Sequence, residues 1–111
     1  MAAALVSLPS TIRRGDIITV RALIQHPMET GYRRDSSGAL LERDLIRRFV
    51  CTRIEETTRK PIFTAELHAA IAANPLIAFP LRIDRDCTLE FEWTGDNGFT
   101  HRETRAVKLS T

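Results

Sequence analysis

The chain has 111 residues and a mass of 12.6 kDa, and two separate cores of half this length would each be too small to stabilise themselves. We therefore predict a single domain over residues 1–111. Hydrophobic residues make up 43% and charged residues 27%, which excludes a disordered, collagen-like or membrane-spanning chain. The formal net charge of +2 is too small, and the basic residues too dispersed, for a nucleic-acid-binding face.

The first clear strand is predicted from Asp16 to Gln25, after a turn that contains Gly15. Hydrophobic and polar residues alternate along it, which is the pattern of a strand with one buried face. The hydrophobic face consists of Ile18, Val20, Ala22 and Ile24. Pro27 ends the strand because proline has no backbone N–H to donate.

Residues 40–54 are compatible with two structures. A helix over residues 40–49 would place Leu41 and Leu45 at helical spacing. A strand from about Ile46 is favoured, because the residues from Phe49 onward are strand formers. In that strand, simple alternation puts Ile46 on the face opposite Phe49.

The second half of the chain is predicted to continue the β pattern. Further strands are expected over residues 61–64, 77–83, 88–94 and 99–109, with a short helical turn over residues 66–73. Pro61 marks an edge strand, Glu55 and Glu56 precede it in a loop, and residues 94–98 form a hairpin loop. Short strands about ten residues apart predict an all-β, immunoglobulin-like antiparallel β-sandwich of about seven strands.

The residue types that carry catalysis or bind metals do not form a recognisable cluster. The histidines His26, His68 and His101 do not have metal-ligand spacing, and Glu90 and Glu92 fall on the outward face of a strand. We therefore predict no catalytic residue, no metal site and no cofactor.

The sequence contains two cysteines, Cys51 and Cys87. Cys51 is either a nucleophile activated by Arg48 or Arg53, or a small buried hydrophobic residue, and the second interpretation is favoured. Cys87 follows Asp86, whose carboxylate raises a thiol pKa. A sandwich allows a bridge between the two cysteines, but we predict two free thiols.

A polar segment after the first strand contains two residues typical of contact surfaces, Met28 and Tyr32. They lie beside Pro27, Arg33 and Arg34. The residues alone leave two interpretations equally open: a docking surface, or a loop whose Met28 packs back onto the sandwich.

Three stretches together resemble the SoxZ family, the small subunits of the SoxYZ carrier of bacterial thiosulfate oxidation. They are His26-Pro27-Met28-Glu29-Thr30-Gly31, Ala73-Asn74-Pro75 and Phe91-Glu92-Trp93-Thr94-Gly95-Asp96-Asn97-Gly98. The resemblance implies a non-enzymatic, immunoglobulin-like subunit that pairs with SoxY, which carries sulfur intermediates on a cysteine in a flexible C-terminal arm. The sequence ends at Thr111 without a Gly-Gly-Cys arm and so resembles the non-carrying partner.

The resemblance also implies a partner surface and a compartment. The predicted partner-binding residues are His26, Pro27, Met28, Thr30, Gly31, Tyr32, Arg33 and Asn74. Residues 1–8 do not resemble a secretory signal, so the periplasmic location of the family implies export with the partner. Two alternatives stay open: Cys51 is itself a sulfur acceptor, or the domain self-associates through exposed strand edges. A homodimer of the isolated chain is also compatible with the carrier interpretation, since another copy can meet the same interface.

Overall fold

The computed structural model describes residues 3–25, 31–67 and 75–110. They form seven strands and a short 3-10 turn over Asp96–Gly98. The strands are β1 Ala3–Ser7, β2 Asp16–Gln25, β3 Ile46–Glu55, β4 Thr58–Glu66, β5 Leu76–Ile83, β6 Cys87–Gly95 and β7 Thr100–Val107. Within the described ranges, no helix has both the length and the apolar character needed to cross a membrane.

The strands form two antiparallel sheets that share one hydrophobic core. A three-stranded sheet has the order β1-β2-β5, and a four-stranded sheet has the order β4-β3-β6-β7. The chain passes between the sheets after β2, after β4 and after β5. This arrangement confirms the predicted all-β, immunoglobulin-like sandwich of about seven strands.

Alternation along β2 and β6 determines which residues fill the core, as predicted. Their buried side chains are Ile18, Val20, Ala22, Ile24, Cys87, Leu89, Phe91 and Trp93. Aromatic rings join the two layers, since Phe63 of β4 stacks on Phe79 of β5 with centroids 4.2 Å apart. The ring of Phe49 lies 5.1 Å from that of Trp93. The Phe63–Phe79 contact joins the two sheets, whereas the Phe49–Trp93 contact packs β3 against β6 within the four-stranded sheet.

β3 departs from simple alternation at Arg47. Ile46 pairs with Gly95 and Arg48 pairs with Thr94, so Arg47 is an extra residue that forms a β-bulge. The bulge shifts the phase of the strand, and both Ile46 and Phe49 are buried. The prediction that these two side chains lie on opposite faces was therefore wrong. The favoured strand from Ile46 is confirmed, whereas no helix forms over residues 40–49.

β4 is longer than predicted. The expected strand over residues 61–64 lies inside it, and Pro61 is on the outer edge of the four-stranded sheet, as its chemistry requires. The loop expected around Glu55 and Glu56 is a tight hairpin between β3 and β4, in which Glu56 has a positive φ of 50°. Glu55 is the last residue of β3, so the loop prediction was wrong there.

One further strand was not predicted from the sequence, and one predicted element falls mostly outside the described residues. β1 was not predicted, yet it pairs along its length with β2. The helical turn predicted over residues 66–73 begins at Glu66, which is the last residue of β4. Residues 68–74 lie outside the described residues.

The sandwich has two distinct ends. At one end β3 and β5 finish and β6 begins, and Glu55, Ile83 and Cys87 line a common cleft. At the other end β2 and β6 finish and β3 and β5 begin. We call this second end the motif end, because the sequence stretches that carry the family resemblance connect to it.

Candidate functional site

The topology brings the described flanks of the first two stretches, and the third stretch, to one end of the sandwich. The chain enters the first stretch from Gln25, the last residue of β2, and leaves the second at Pro75, just before β5. The third stretch completes β6 and forms the turn that follows. The backbone N–H of Ile24, two residues before the first stretch, donates to the carbonyl of Pro75, the last residue of the second stretch, at 3.4 Å. The motif end is therefore the candidate site.

Asp96 links the turn after β6 to the segment that precedes β3. Its carboxylate accepts from the Arg43 guanidinium at 3.0 Å and from the backbone N–H of Leu45 at 3.1 Å. Its own backbone N–H donates to the Leu45 carbonyl at 2.8 Å. The Arg47 guanidinium lies 3.7 Å from the same carboxylate. The side chain is only 14% exposed, so these charge-assisted bonds are partly shielded from water.

Two neighbours of Asp96 have the residue types that this contact needs. A Cβ on Gly95 would lie 3.0 Å from the Ile46 Cα and closer still to the Leu45 carbonyl oxygen, so only glycine fits. Asn97 has a left-handed backbone, with φ 60°, and its side-chain amide donates to the Arg43 carbonyl at 3.0 Å. The hairpin loop predicted over residues 94–98 lies between β6 and β7, but its first two residues, Thr94 and Gly95, belong to β6.

The anchored segment carries a small projecting hairpin over residues 33–41. The N–H of Leu41 donates to the Arg33 carbonyl at 2.8 Å, and the N–H of Asp35 donates to the Ala39 carbonyl at 2.9 Å. Asp35 stabilises the tip, because its Oδ1 accepts from the Ser37 N–H at 2.9 Å and from the Ser37 hydroxyl at 2.6 Å. These bonds hold the pKa of Asp35 below its usual value.

The hairpin displays exposed residues of the types found in protein interfaces. Tyr32 is 85% exposed at its base, beside exposed Arg33, and Leu40 is 56% exposed. Gly31 connects this base to the sandwich with φ +91°, where a Cβ would lie 3.2 Å from the Arg43 Cβ. Aromatic and arginine side chains on a hydrogen-bonded scaffold suit a docking surface.

The predicted partner-binding residues are only partly described. Gly31, Tyr32 and Arg33 lie together at the motif end. His26, Pro27, Met28, Thr30 and Asn74 lie outside the described residues. Their role as contact residues stays a prediction.

Both cysteines are free and buried. Burial, with a smaller contribution from Cys87, raises the pKa of Cys51 to about 12. The pKa of Cys87 is also raised, chiefly by burial and partly offset by Arg53. Cys51 pairs with Phe91, which is four residues along β6 from Cys87. The Cα atoms of the two cysteines are therefore more than about 10 Å apart. That separation excludes a bridge, since disulfides need Cα atoms within about 7 Å.

The arginines near Cys51 do not form an anion site around its sulfur. Arg48 lies on the opposite face of β3, where its guanidinium is 3.6 Å from the Glu66 carboxylate. Arg53 pairs with Glu55 at 3.0 Å, in the cleft of about 210 Å³ at the end remote from the motif end. Among the described residues, no group of three or more His, Cys, Asp and Glu side chains is arranged to hold a metal ion.

The fold and the site define a class of protein: an immunoglobulin-like β-sandwich that presents a hydrogen-bonded hairpin at one end. The chain belongs to the family of the sulphur oxidation protein SoxZ, whose profile matches residues 6–106. No curated protein sequence matches it.

Solved structures share the fold at low sequence identity. A superoxide reductase (neelaredoxin) from Ignicoccus hospitalis has a TM-score of 0.75 and 12% identity, covering 97% of this chain and 80% of that one. A putative superoxide reductase from Thermotoga maritima has a TM-score of 0.69 and 7% identity, covering 97% and 86%. The sulfur carrier protein SoxY from Chlorobium limicola f thiosulfatophilum has a TM-score of 0.61 and 14% identity, covering 98% and 80%. At these identities the likeness concerns the fold alone.

The sequence pattern did not identify all residues of the site. Asp96 was noted only as part of the hairpin loop and of the third stretch, and Arg43 was not considered. Leu40 was considered only as the start of a helix. The Asp-Asn-Gly turn was the available signal, but its partner, Arg43, is 53 residues away in sequence.

Proposed function

We propose that this chain is the non-catalytic subunit of a sulfur-carrier complex, which binds and stabilises a SoxY-type carrier. The observation that carries the proposal is the burial of both cysteines, Cys51 at 0% exposure and Cys87 at 9%. A covalent sulfur carrier needs an accessible thiolate, and burial raises the pKa of both thiols. Within a sulfur-oxidation family, the sulfur-bearing cysteine therefore belongs to the partner.

The hairpin at the motif end supports a binding role. Tyr32 and Arg33 are residue types that dominate the energy of protein interfaces, and Leu40 adds exposed apolar area beside them. Because the hairpin is already hydrogen-bonded and tied down by Asp96, binding orders few additional groups. The same hairpin contacts either the carrier subunit or an enzyme that approaches it.

In this proposal the chain acts by positioning. The carrier's flexible arm holds a covalent sulfur intermediate and moves it between enzymes, while the sandwich supplies a fixed surface that orients the complex. Tethering keeps the intermediate at high local concentration near each docked enzyme. Catalysis belongs to those enzymes.

The test is the double variant Tyr32→Ala/Arg33→Ala, measured by calorimetry with the purified carrier subunit and by turnover of the reconstituted pathway. We expect affinity for the carrier, or for one pathway enzyme, to fall about 30-fold or more. Ser36→Ala, at the tip of the same hairpin, is the matched control and leaves both quantities unchanged. Unchanged affinities and turnover in the double variant contradict the assignment of the hairpin. A wild-type chain that does not bind the carrier contradicts the proposed function itself.

We also propose that the complex acts in the periplasm and that the chain is exported with its partner. The periplasmic setting that the resemblance to the family implies is the basis for this location. Osmotic-shock fractionation tests it: the chain is recovered in the periplasmic fraction when the carrier is co-expressed with its signal peptide. Recovery in the cytosol under that condition contradicts the proposal.

A further inference from the structure

The outward faces of the two sheets differ in chemistry. The outward face of the four-stranded sheet is polar and its charges are paired, as expected for a surface that faces water. Three ion pairs cross it: Arg48 with Glu66 at 3.6 Å, Arg59 with Glu90 at 2.6 Å, and Arg102 with Glu92 at 2.7 Å. The outward face of the three-stranded sheet has no comparable pairs among the described residues.

Three leucines cross the three-stranded sheet side by side. Leu5 of β1 pairs with Leu23 of β2, which pairs on its other side with Leu76 of β5. Leu5 is 65% exposed and Leu76 is 59% exposed, with Leu23 half-buried between them. At the spacing of neighbouring strands the row is about 10 Å long. We call these residues the leucine row; contiguous exposed apolar side chains of this kind mark interaction sites.

The charged side chains described on the outward face of the three-stranded sheet all have one sign. Arg21 lies two residues from Leu23 on the same face of β2, and Arg82 lies farther along β5. Neither arginine forms an ion pair with another described residue. None of the residues at the outward positions of the three strands has a carboxylate side chain. These residues are Ala3, Leu5, Ser7, Ile17, Thr19, Arg21, Leu23, Gln25, Leu76, Ala78, Pro80 and Arg82.

The leucine row also reaches the least protected sheet edge. Pro61 and Pro80 interrupt the edges formed by β4 and β5, and alternating charges cover the edge formed by β7. β1 is an edge strand with neither a proline nor a charge. A partner that covers the leucine row lies against this edge and shields it from unwanted pairing.

We propose that the leucine row and Arg21 form the docking surface for the carrier subunit, which contacts them with apolar side chains bordered by Asp or Glu carboxylates. This inference rests on the proposed function. The positive charge selects the occupant, because two copies of this face would bring Arg21 side chains together, and none of its described outward residues supplies a carboxylate to neutralise them.

The position of the row supports the same occupant. Leu23 lies two residues before Gln25, where the chain enters the predicted partner-binding segment, so the row is at the motif end of its sheet. A row about 10 Å long is only part of the about 800 Å² per partner in a standard interface. One partner that covers both the leucine row and the hairpin base at Tyr32 supplies the rest.

The test is the double variant Leu5→Asp/Leu76→Asp, titrated into the purified carrier subunit. Each aspartate would be buried in the interface without an ion-pair partner and close to the carboxylates of the carrier. We therefore expect the affinity for the carrier to fall about 30-fold or more. Ile17→Asp is the matched control, since Ile17 is also 65% exposed on the same face. Ile17 lies six residues along β2 from Leu23, about 20 Å away. We therefore expect the affinity of the Ile17→Asp variant for the carrier to stay within about twofold of wild type.

A second variant keeps the proposal testable if the double variant does not fold. Arg21→Glu weakens carrier binding, and it also reduces the dependence of the affinity on salt, because an interfacial charge pair is lost. Wild-type affinity and salt dependence in Arg21→Glu contradict the charge argument.

The remaining outcomes distinguish a failure of the leucine row as the docking surface from a failure of the proposed function. If Leu5→Asp/Leu76→Asp binds the carrier as tightly as wild type, the row is not the docking surface, although the proposed function stands. If the wild-type chain dimerises alone and this variant is monomeric, the occupant is a second copy and the proposal is overturned. If the wild-type chain does not bind the carrier, the proposed function fails as well.

Discussion

Substitution of Gly95 by alanine is expected to separate the turn after β6 from the segment before β3. The added Cβ would lie 3.0 Å from the Ile46 Cα, 3.1 Å from the Leu45 carbonyl carbon and closer still to the carbonyl oxygen. These are backbone atoms that cannot rotate away, so the two segments must move apart. The movement breaks the bond from the Asp96 N–H to the Leu45 carbonyl, at 2.8 Å, and strains the bond from the Leu45 N–H to the Asp96 carboxylate, at 3.1 Å.

The cost of Gly95→Ala follows from these two bonds. A neutral backbone bond contributes about 1 kcal/mol and a bond to a charged group about 1.5–3 kcal/mol, so we expect a loss of about 3 kcal/mol in the free energy of unfolding. For a domain of this size that lowers Tm by about 12 °C or more. Thermal and urea unfolding followed by circular dichroism measure the change.

The matched control is Gly98→Ala in the same turn. Gly98 has φ +73° and would bring no Cβ within 4 Å of a neighbour, so only the left-handed backbone opposes alanine there. That penalty is about 1–2 kcal/mol. The argument from close approach is refuted if Gly95→Ala is no more destabilising than Gly98→Ala.

Three further changes test other parts of the account. Asp96→Asn keeps an acceptor for the Leu45 N–H but loses its charge, so urea unfolding should show a loss of about 1–2 kcal/mol; an unchanged midpoint contradicts the anchoring role. Iodoacetamide at about pH 8 should leave Cys51 unmodified in the folded protein but alkylate it in guanidinium, because burial raises its pKa to about 12; rapid reaction of the folded protein would instead favour Cys51 as a sulfur acceptor. His101 donates to Glu103 at 3.0 Å and, with Arg105, lowers the pKa of Glu103 from its usual 4.5. A lowered pKa stabilises the fold above pH 4.5, and this contribution is lost as pH falls through the folded-state value. The difference in urea midpoint between wild type and Glu103→Gln should therefore shrink from about pH 6 to about pH 3, and a constant difference contradicts the assignment.

The sequence pattern predicted the strands whose alternation is uninterrupted. β2 and β6 bury every second residue, so their inward faces were assigned correctly. β3 was assigned as a strand, and only Ile46 was placed on the wrong face, because the bulge at Arg47 depends on pairing with β6 and has no local signal. β1 was missed because small or apolar residues occupy both of its faces, with Leu5 outward and Val6 inward, which hides the period of two.

The candidate site was predictable only where it depends on residue type. Tyr32 and Arg33 were selected because aromatic and arginine residues in a loop are typical of contact surfaces. The contact between Arg43 and Asp96 spans 53 residues and forms only when two loops meet at one end of the sandwich. The leucine row likewise depends on the register of three strands that are separated in sequence.

In the proposed function, this chain binds a sulfur carrier without carrying sulfur itself. The most direct measurement is native mass spectrometry of the chain co-expressed with the SoxY-type subunit and supplied with thiosulfate and the pathway enzymes, followed by intact masses of the separated chains. We predict a complex that contains both chains, with sulfur adducts on the carrier and the unmodified mass for this chain. Sulfur adducts on this chain, or the absence of a complex, would contradict the account.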